Sequence, residues 1–254
     1  MVNCPEQAGC YNDSIVNYSI EQLNNILVYS SSMSGSHFKH DLFTQFARVG
    51  KALGNGNRLE LLEYLAQGER SVDELSKVSG LTIANTSQHL QQLRQSGLVS
   101  SRKEGLKVYY MLSGDDVVGL LDALRGVAER HVADVERLVN SYLTVKDDLE
   151  PLPRHELLER VREGLVTVLD VRPPEEYAAG HVPGAVNVPL NELEQYLEAL
   201  SPDQEIVAYC RGPHCVLAFD AVAQLREKGL PARRLEDGYP EWKTAGFPVE
   251  VSSG

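Results

Sequence analysis

The chain has 254 residues, 43% of them hydrophobic and 24% charged, a balance that excludes a disordered or fibrous polymer and is long enough for two domains. No run of about 18 uninterrupted apolar residues occurs, so neither a spanning helix nor a membrane partner is expected. The net charge of −12 would argue against a nucleic-acid partner if it were evenly spread, but residues 37–114 carry ten basic and seven acidic side chains, while every other stretch is acidic. Four cysteines, at 4, 10, 210 and 215, are too few for a disulfide framework, and no basic and apolar leader opens the chain. A cytoplasmic protein with free or reactive thiols is the expectation.

Residues 1–36 are polar and close on the Ser/Gly-rich run 30–36, which reads as a flexible extension. Over 38–53 helical spacing aligns Leu42, Phe46, Val49, Ala52 and Leu53, and over 58–65 it aligns Leu59, Leu61, Leu62 and Leu65. Ser71 followed by Glu74 is a capping box that opens a short helix ending at Gly80. A second helix runs from Thr82 to about Ser96 and is closed by Gly97. Leu98–Lys103 and Leu106–Leu112 are predicted strands joined through Glu104-Gly105. This order is that of a winged helix-turn-helix, placed over 37–146. Asp115–Tyr142 is predicted as one long helix whose stripe of Val118, Leu121, Leu124, Ala128, Val132, Val135, Val139 and Tyr142 must be buried, against a second copy of the chain or against its own first helix.

On the second helix of the motif Leu90 and Leu93 face inward, and Asn85, Gln88 and Gln91 lie on the other side with Thr82 at the amino end; Ser87 is added to this set. An amide that both donates and accepts suits an adenine edge in a major groove. Arg94, Arg102, Lys103 and Lys107 are placed to neutralise phosphates. For each residue alone, a solvated face is the plainer explanation. The segments Ala52-Leu53, Arg58-Leu59-Glu60-Leu61-Leu62, Ser87 to Arg94 and Gly97-Leu98-Val99 resemble the ArsR-type family of winged-helix repressors over about 38–143. That resemblance implies a homodimer on a palindromic double-stranded operator, released by an inducer that is commonly a metal or metalloid. This chain departs from the pattern: Ser71–Ser79 holds no cysteine, and the long helix offers His131 with Glu129 and Asp134, to which His37 and His40 could be added. No metal and no cofactor is expected.

The acidic half begins after Lys146 to Pro153, a charged stretch closed by prolines; 147–152 is taken as the linker and 153–254 as the second domain. Val166 to Arg172 is a buried strand run, Gly180 to Ala185 a loop, Leu190–Leu200 a helix, Glu205–Tyr209 a strand, Val216–Lys228 a helix and Arg233–Glu236 a last strand. Strands alternating with helices predict an α/β fold with a central parallel sheet, whose ligands sit at strand carboxyl ends. Cys210 occupies such an end, where the loop Arg211, Gly212, Pro213, His214, Cys215 and Val216 curls into a helix start whose N–H groups favour a thiolate.

Asp170-Val171-Arg172 with Glu176-Tyr177, Gly180 to Ala185 with Asn187 and Pro189, Tyr209-Cys210-Arg211, and Gly238 with Trp242 together resemble a single rhodanese domain over about 153–251. The resemblance implies a sulfur carrier in which Cys210 cycles through a persulfide, with Asp170 and Arg172 supporting it. Pro213 stands where glycine is usual, Cys215 where Arg, Ser or Thr is common, and Val216 where related phosphatases place arginine. Cys215 is either a thiol that resolves a sulfur adduct on Cys210 or a helix-start residue turned into the core. Two functions remain open: a DNA-binding regulator whose Cys210 accepts sulfane sulfur or senses an oxidant, with a small sulfur donor or thiol acceptor as partner, or a sulfurtransferase whose winged helix controls its own operon without sensing through Cys210.

Overall fold

A computed structural model describes residues 35–144 and 151–252. The expectations for 1–34, for Cys4 and Cys10, and for 147–150 lie outside the described residues. The first helix, α1 (Gly35–Leu53), starts three residues before its predicted origin and so takes in the end of the expected extension. Phe38, Phe43 and Phe46 on it are all more than half exposed, including the Phe46 expected on an inward face.

α2 (Gly56–Ala66) opens on Asn55, whose side chain accepts from the Arg58 N–H. A two-residue strand, β1 (Arg70–Ser71), precedes α3 (Val72–Ser79), and the predicted Ser71–Glu74 capping box is present in both directions. α4 (Ile83–Gln95) is capped by Thr82 and ended by Ser96 and a left-handed Gly97, as the sequence predicted. The wing strands are β2 (Val99–Glu104) and β3 (Lys107–Leu112), in a sheet of order β1-β3-β2. Glu104 pairs with Lys107, so the turn is Gly105-Leu106 and not Glu104-Gly105. The shift follows from backbone conformation: Gly105 has φ +58°, and this hairpin turn takes its positive φ at the first central residue. Leu61, Leu62, Leu75, Leu90 and Leu93, all without exposed surface, centre this core.

The predicted long helix is broken. α5 (Asp116–His131) ends at Val132, whose backbone is extended at φ −110°, ψ 99°, and α6 (Ala133–Val139) follows, closing in a π-helical turn at Asn140–Thr144. The β-branched valine gives up the helix at little cost, and its N–H still reaches the Ala128 carbonyl at 2.8 Å.

In the second half, α7 (Arg154–Arg162), β4 (Val166–Asp170), α8 (Pro174–Ala179), β5 (Val186–Asn187), α9 (Leu193–Tyr196), β6 (Glu205–Tyr209), α10 (Val216–Glu227), β7 (Ala232–Arg234) and α11 (Tyr239–Thr244) build a parallel sheet of order β5-β4-β6-β7. The helix expected over Leu190–Leu200 is a single α-turn, α9, between two 3-10 turns, because Pro189 and Pro202 bracket it. The last strand starts one residue before and ends two residues before its predicted limits, leaving Leu235 in an isolated bridge to Leu152. Strand alternation sends Ile206, Ala208 and Cys210 to the α10 face and Val207 and Tyr209 to the face holding Leu157 and Trp242.

Leu152, expected to end a linker, is fully buried: its N–H donates to the Arg234 carbonyl at 2.7 Å and its carbonyl accepts from Glu236 at 2.9 Å. Pro151 and Pro153 on either side favour the extended backbone this pairing needs. Leu152→Ala is expected to destabilise the chain by about 2–5 kcal/mol, against within about 0.5 kcal/mol for Leu106→Ala on the exposed wing tip, as read by denaturant unfolding.

Candidate functional site

The surface expected to meet DNA is built by α4 and the wing. Thr82 Oγ1 accepts from the Asn85 N–H at 3.3 Å, which fixes the start of α4, while buried Leu90 and Leu93 fix its roll. Thr82, Asn85, Gln88 and Gln91 are exposed on the opposite side; Ser87 is half-buried and is reached by Gln91 at 3.5 Å. Ile83, unmarked by the sequence reading, is 56% exposed at the same helix start, where its apolar surface suits a thymine methyl. Its helical angle relative to Thr82 and Asn85 was the available signal.

The four cations differ in what holds them. Arg94 donates to Ser101 at 3.2 Å, and Lys103 and Lys107 are exposed at the wing. Arg102 is engaged instead by Glu69 at 2.6–3.0 Å and by Glu104, and lies over the Tyr109 ring. A phosphate reaching Arg102 must compete with two carboxylates.

The second centre lies at the carboxyl end of β6. Cys210 is 1% exposed, and its Sγ is joined in a disulfide to Cys215, whose Cα lies 6.0 Å away. Between them the loop is pinned by its backbone. Tyr239 N–H donates to the Cys210 carbonyl at 3.0 Å, Cys215 N–H to Gly212 at 3.1 Å, and Ala218 N–H to Cys215 at 3.2 Å. Gly238 backs directly onto it; a Cβ there would lie 2.3 Å from the Gly212 nitrogen. Val216 opens α10 rather than belonging to the loop, and Cys215 occupies its N-cap position without a side-chain cap bond.

The other loop residues point to the winged-helix half. Arg211 grips Glu176 through Nε and Nη2 at 2.8–3.0 Å and lies over the Tyr64 ring, so its charge is spent on a carboxylate rather than offered to sulfur. Glu176, itself 1% exposed, is shared with Arg70 at 2.6 Å. Gln67 donates to the Arg211 carbonyl at 3.3 Å and accepts from Arg172 at 3.1 Å. His214 meets Glu129 at 3.2 Å; burial pulls its imidazole below the ordinary range, partly offset by that carboxylate. Beside Pro213 and His214 a cavity of about 380 Å³ opens, walled by Phe219 and by Val135 and Val139 of α6. Asp170 and Arg172 are wholly buried and paired with each other, and Tyr209 donates to Asp170 at 2.5 Å. They brace the strand end beneath the loop. Among the described residues, no group of three His, Cys, Asp or Glu side chains could hold a metal, and no helix is long and apolar enough to cross a membrane.

Glu63 of α2 faces Gly212 and Arg125. Burial pushes its carboxyl above the ordinary 4.5, against the pull of Arg125 and Arg211. A carboxyl raised on folding is free of penalty below the unfolded value and costs stability as pH rises through the folded one. Glu63→Gln is therefore expected to raise the melting temperature at pH 7–8 and to leave it unchanged near pH 4, in thermal melts across that range.

Comparison with known proteins accounts for both halves. The family model described as "Bacterial regulatory protein, arsR family" matches residues 55–101, and that of a "Rhodanese-like domain" matches 153–245. The chain is 47% identical over 212 residues to HTH-type transcriptional regulator Rv0324 of Mycobacterium tuberculosis, covering 84% of this chain and 93% of that one. Over 74 residues it is 43% identical to the transcriptional activator HlyU of Vibrio cholerae, covering 29% of this chain and 68% of the relative. The homodimeric winged helix-turn-helix DNA-binding domain of Mb0332 from Mycobacterium bovis, a possible ArsR-family regulator, is 42% identical at a TM-score of 0.37, over 40% of this chain and 92% of that fragment.

Proposed function

The chain belongs to the ArsR-type helix-turn-helix transcriptional regulators that carry a rhodanese-like domain, and from that premise we propose that it is a dimeric repressor that answers sulfane sulfur through Cys210 and Cys215. The observation that supports this reading is the disulfide across the loop at the carboxyl end of β6. A sulfane-sulfur donor such as an inorganic polysulfide gives one sulfur to the Cys210 thiolate, forming a persulfide and leaving a polysulfide shorter by one atom. The Cys215 thiolate then attacks Sγ of Cys210, the Cys210–Cys215 bond forms, and hydrosulfide leaves with the outer sulfur. Two protein thiols are oxidised and one sulfane sulfur is reduced to sulfide. The product is the state with the two cysteines joined. Cys210 is nearly inaccessible in that state.

On the DNA side, α4 enters the major groove, with Asn85, Gln88 and Ile83 at base edges and Arg94, Lys103 and Lys107 at phosphates. The second copy is carried by exposed apolar side chains on α5: Leu120, Leu124 and Val127. Leu124→Glu is expected to shift the chain to monomer in sedimentation and to abolish binding to a palindromic duplex.

The full-length reduced chain is used to select a duplex from a random-sequence pool. Its affinity should fall steeply with ionic strength, Lys103→Ala should weaken all sequences alike, and Gln88→Ala should relax sequence preference. Sodium tetrasulfide should weaken binding of the wild type, with release of sulfide. Cys210→Ser should bind the duplex as well as the wild type and ignore tetrasulfide, whereas Cys215→Ser should accumulate a persulfide on Cys210. If Cys210→Ser loses the duplex on tetrasulfide like the wild type, the sensing reading fails and the sulfurtransferase reading takes its place.

A further inference from the structure

The loop that joins the two cysteines is held at both ends by the winged-helix half. At its first residue, Arg211 shares the buried Glu176 with Arg70. Arg70 is the first residue of β1, paired to Tyr110 of the wing, and the next residue, Ser71, caps α3, the helix before the recognition helix. At its far end, His214 reaches Glu129, three residues before the break at Val132 in the apolar helix pair α5–α6. The sulfur steps written above use none of these side chains; each fixes the position of a residue lying between the cysteines.

Two thiols, or a thiol and a persulfide, cannot occupy the space of a covalent S–S bond, so a change of sulfur state obliges part of the ring to move. The Cys210 end is anchored in the central strand, with its carbonyl bonded to Tyr239 and its side chain in the sheet core. The displacement therefore falls on 211–215, the segment that carries both contacts. A buried carboxylate with two guanidiniums tolerates few arrangements, because moving one partner leaves charge poorly paired out of water. Such a cluster changes between discrete states rather than bending continuously.

We propose that the Arg70–Glu176–Arg211 cluster and the Glu129–His214 pair are the couplers that make the sulfur state of the Cys210–Cys215 loop and the DNA affinity of the winged helix depend on each other. This deepens, and rests on, the sensing reading above. Linkage then makes the effect reciprocal: whatever factor the disulfide takes from duplex affinity, bound duplex must take from disulfide formation. A tenfold effect corresponds to a shift of about 30 mV in the two-electron dithiol–disulfide potential.

The test uses full-length wild type, Arg70→Gln, Glu129→Gln and the double variant, with the duplex selected above. Each is equilibrated in reduced and oxidised dithiothreitol, where two protein thiols become a disulfide as one oxidised dithiothreitol is reduced. The disulfide fraction is read by alkylation and mass, with and without duplex, and duplex affinity is measured for the fully reduced and fully oxidised forms. For the wild type the two forms should differ about 5- to 150-fold, and duplex should shift the thiol equilibrium by that same factor. The double variant should still form the disulfide, with the ratio reduced to less than twofold. Glu129→Gln, whose site is 40% exposed and tolerates the change, should by itself reduce the ratio at least threefold, so the test survives if Arg70→Gln does not fold. Wild-type ratios in Glu129→Gln and in any folded Arg70 variant overturn the couplers while leaving the sensing reading intact. Equal affinity of reduced and oxidised wild type overturns both.

Discussion

Taking a carboxylate out of water without a partner costs several kcal/mol, and Glu176 is 1% exposed. Its two partners come from opposite ends of the sequence, Arg70 from the strand that opens the helix-turn-helix and Arg211 from the residue after Cys210. One buried charge thus fixes three things at once: the place of α8, the path of β1 and the start of the cysteine loop. Beneath it Asp170 and Arg172, with no exposed surface, solve the same problem by pairing with each other. Gln67 ties the two layers together, its oxygen accepting from Arg172 and its nitrogen donating to the carbonyl of Arg211. The net stability gained from such pairs is modest, but losing one partner is costly, so their value lies in allowing one geometry.

The surroundings of the two cysteines follow from where this scaffold leaves the loop. Alternation along β6 turns Cys210 toward α10, away from the face that buries Tyr209 and Trp242. Close approach of Gly238 leaves no room for a side chain against Arg211 and Gly212, so the loop is pressed between the α11 start and the winged-helix half. Pro213 removes one N–H from the turn, and Arg211 and His214 are directed outward to carboxylates. What remains near the sulfur is largely apolar, with a second cysteine at bonding distance.

What the sequence showed and what it hid divide by range. The Ser71–Glu74 box, the Thr82 cap, the limits of α4 and the strand ending at Tyr209 were all legible, because each depends on neighbours within a few residues. The position of Cys210 at a strand end followed from the same local pattern. The partners of Glu176 did not: Arg70 is 106 residues away, and nothing beside it in the sequence signals the pairing. Arg102 looked like a phosphate contact because Glu69, 33 residues earlier, gives no local sign of reaching it. Apolar periodicity continued unbroken through Val132, since a stripe records where apolar side chains recur and not whether the backbone between them stays helical. For Cys215 a spacing of five residues fits either a resolving thiol or a core residue, and only the three-dimensional path of the loop brought its sulfur to Cys210.

Glu69, the residue before β1, and Arg70, its first residue, are engaged on two different surfaces. Glu69 pairs with Arg102 on the wing, while Arg70 pairs with Glu176 beneath the cysteine loop. Glu69 and Glu104 thus offset the charge that Arg102 gives the wing. In a chain of net charge −12 the attraction for DNA rests on a few cations, so the engagement or release of one arginine is a large part of the local field. The acidity of the rest of the chain strengthens the dependence, because no surplus of basic residues stands by to mask the change.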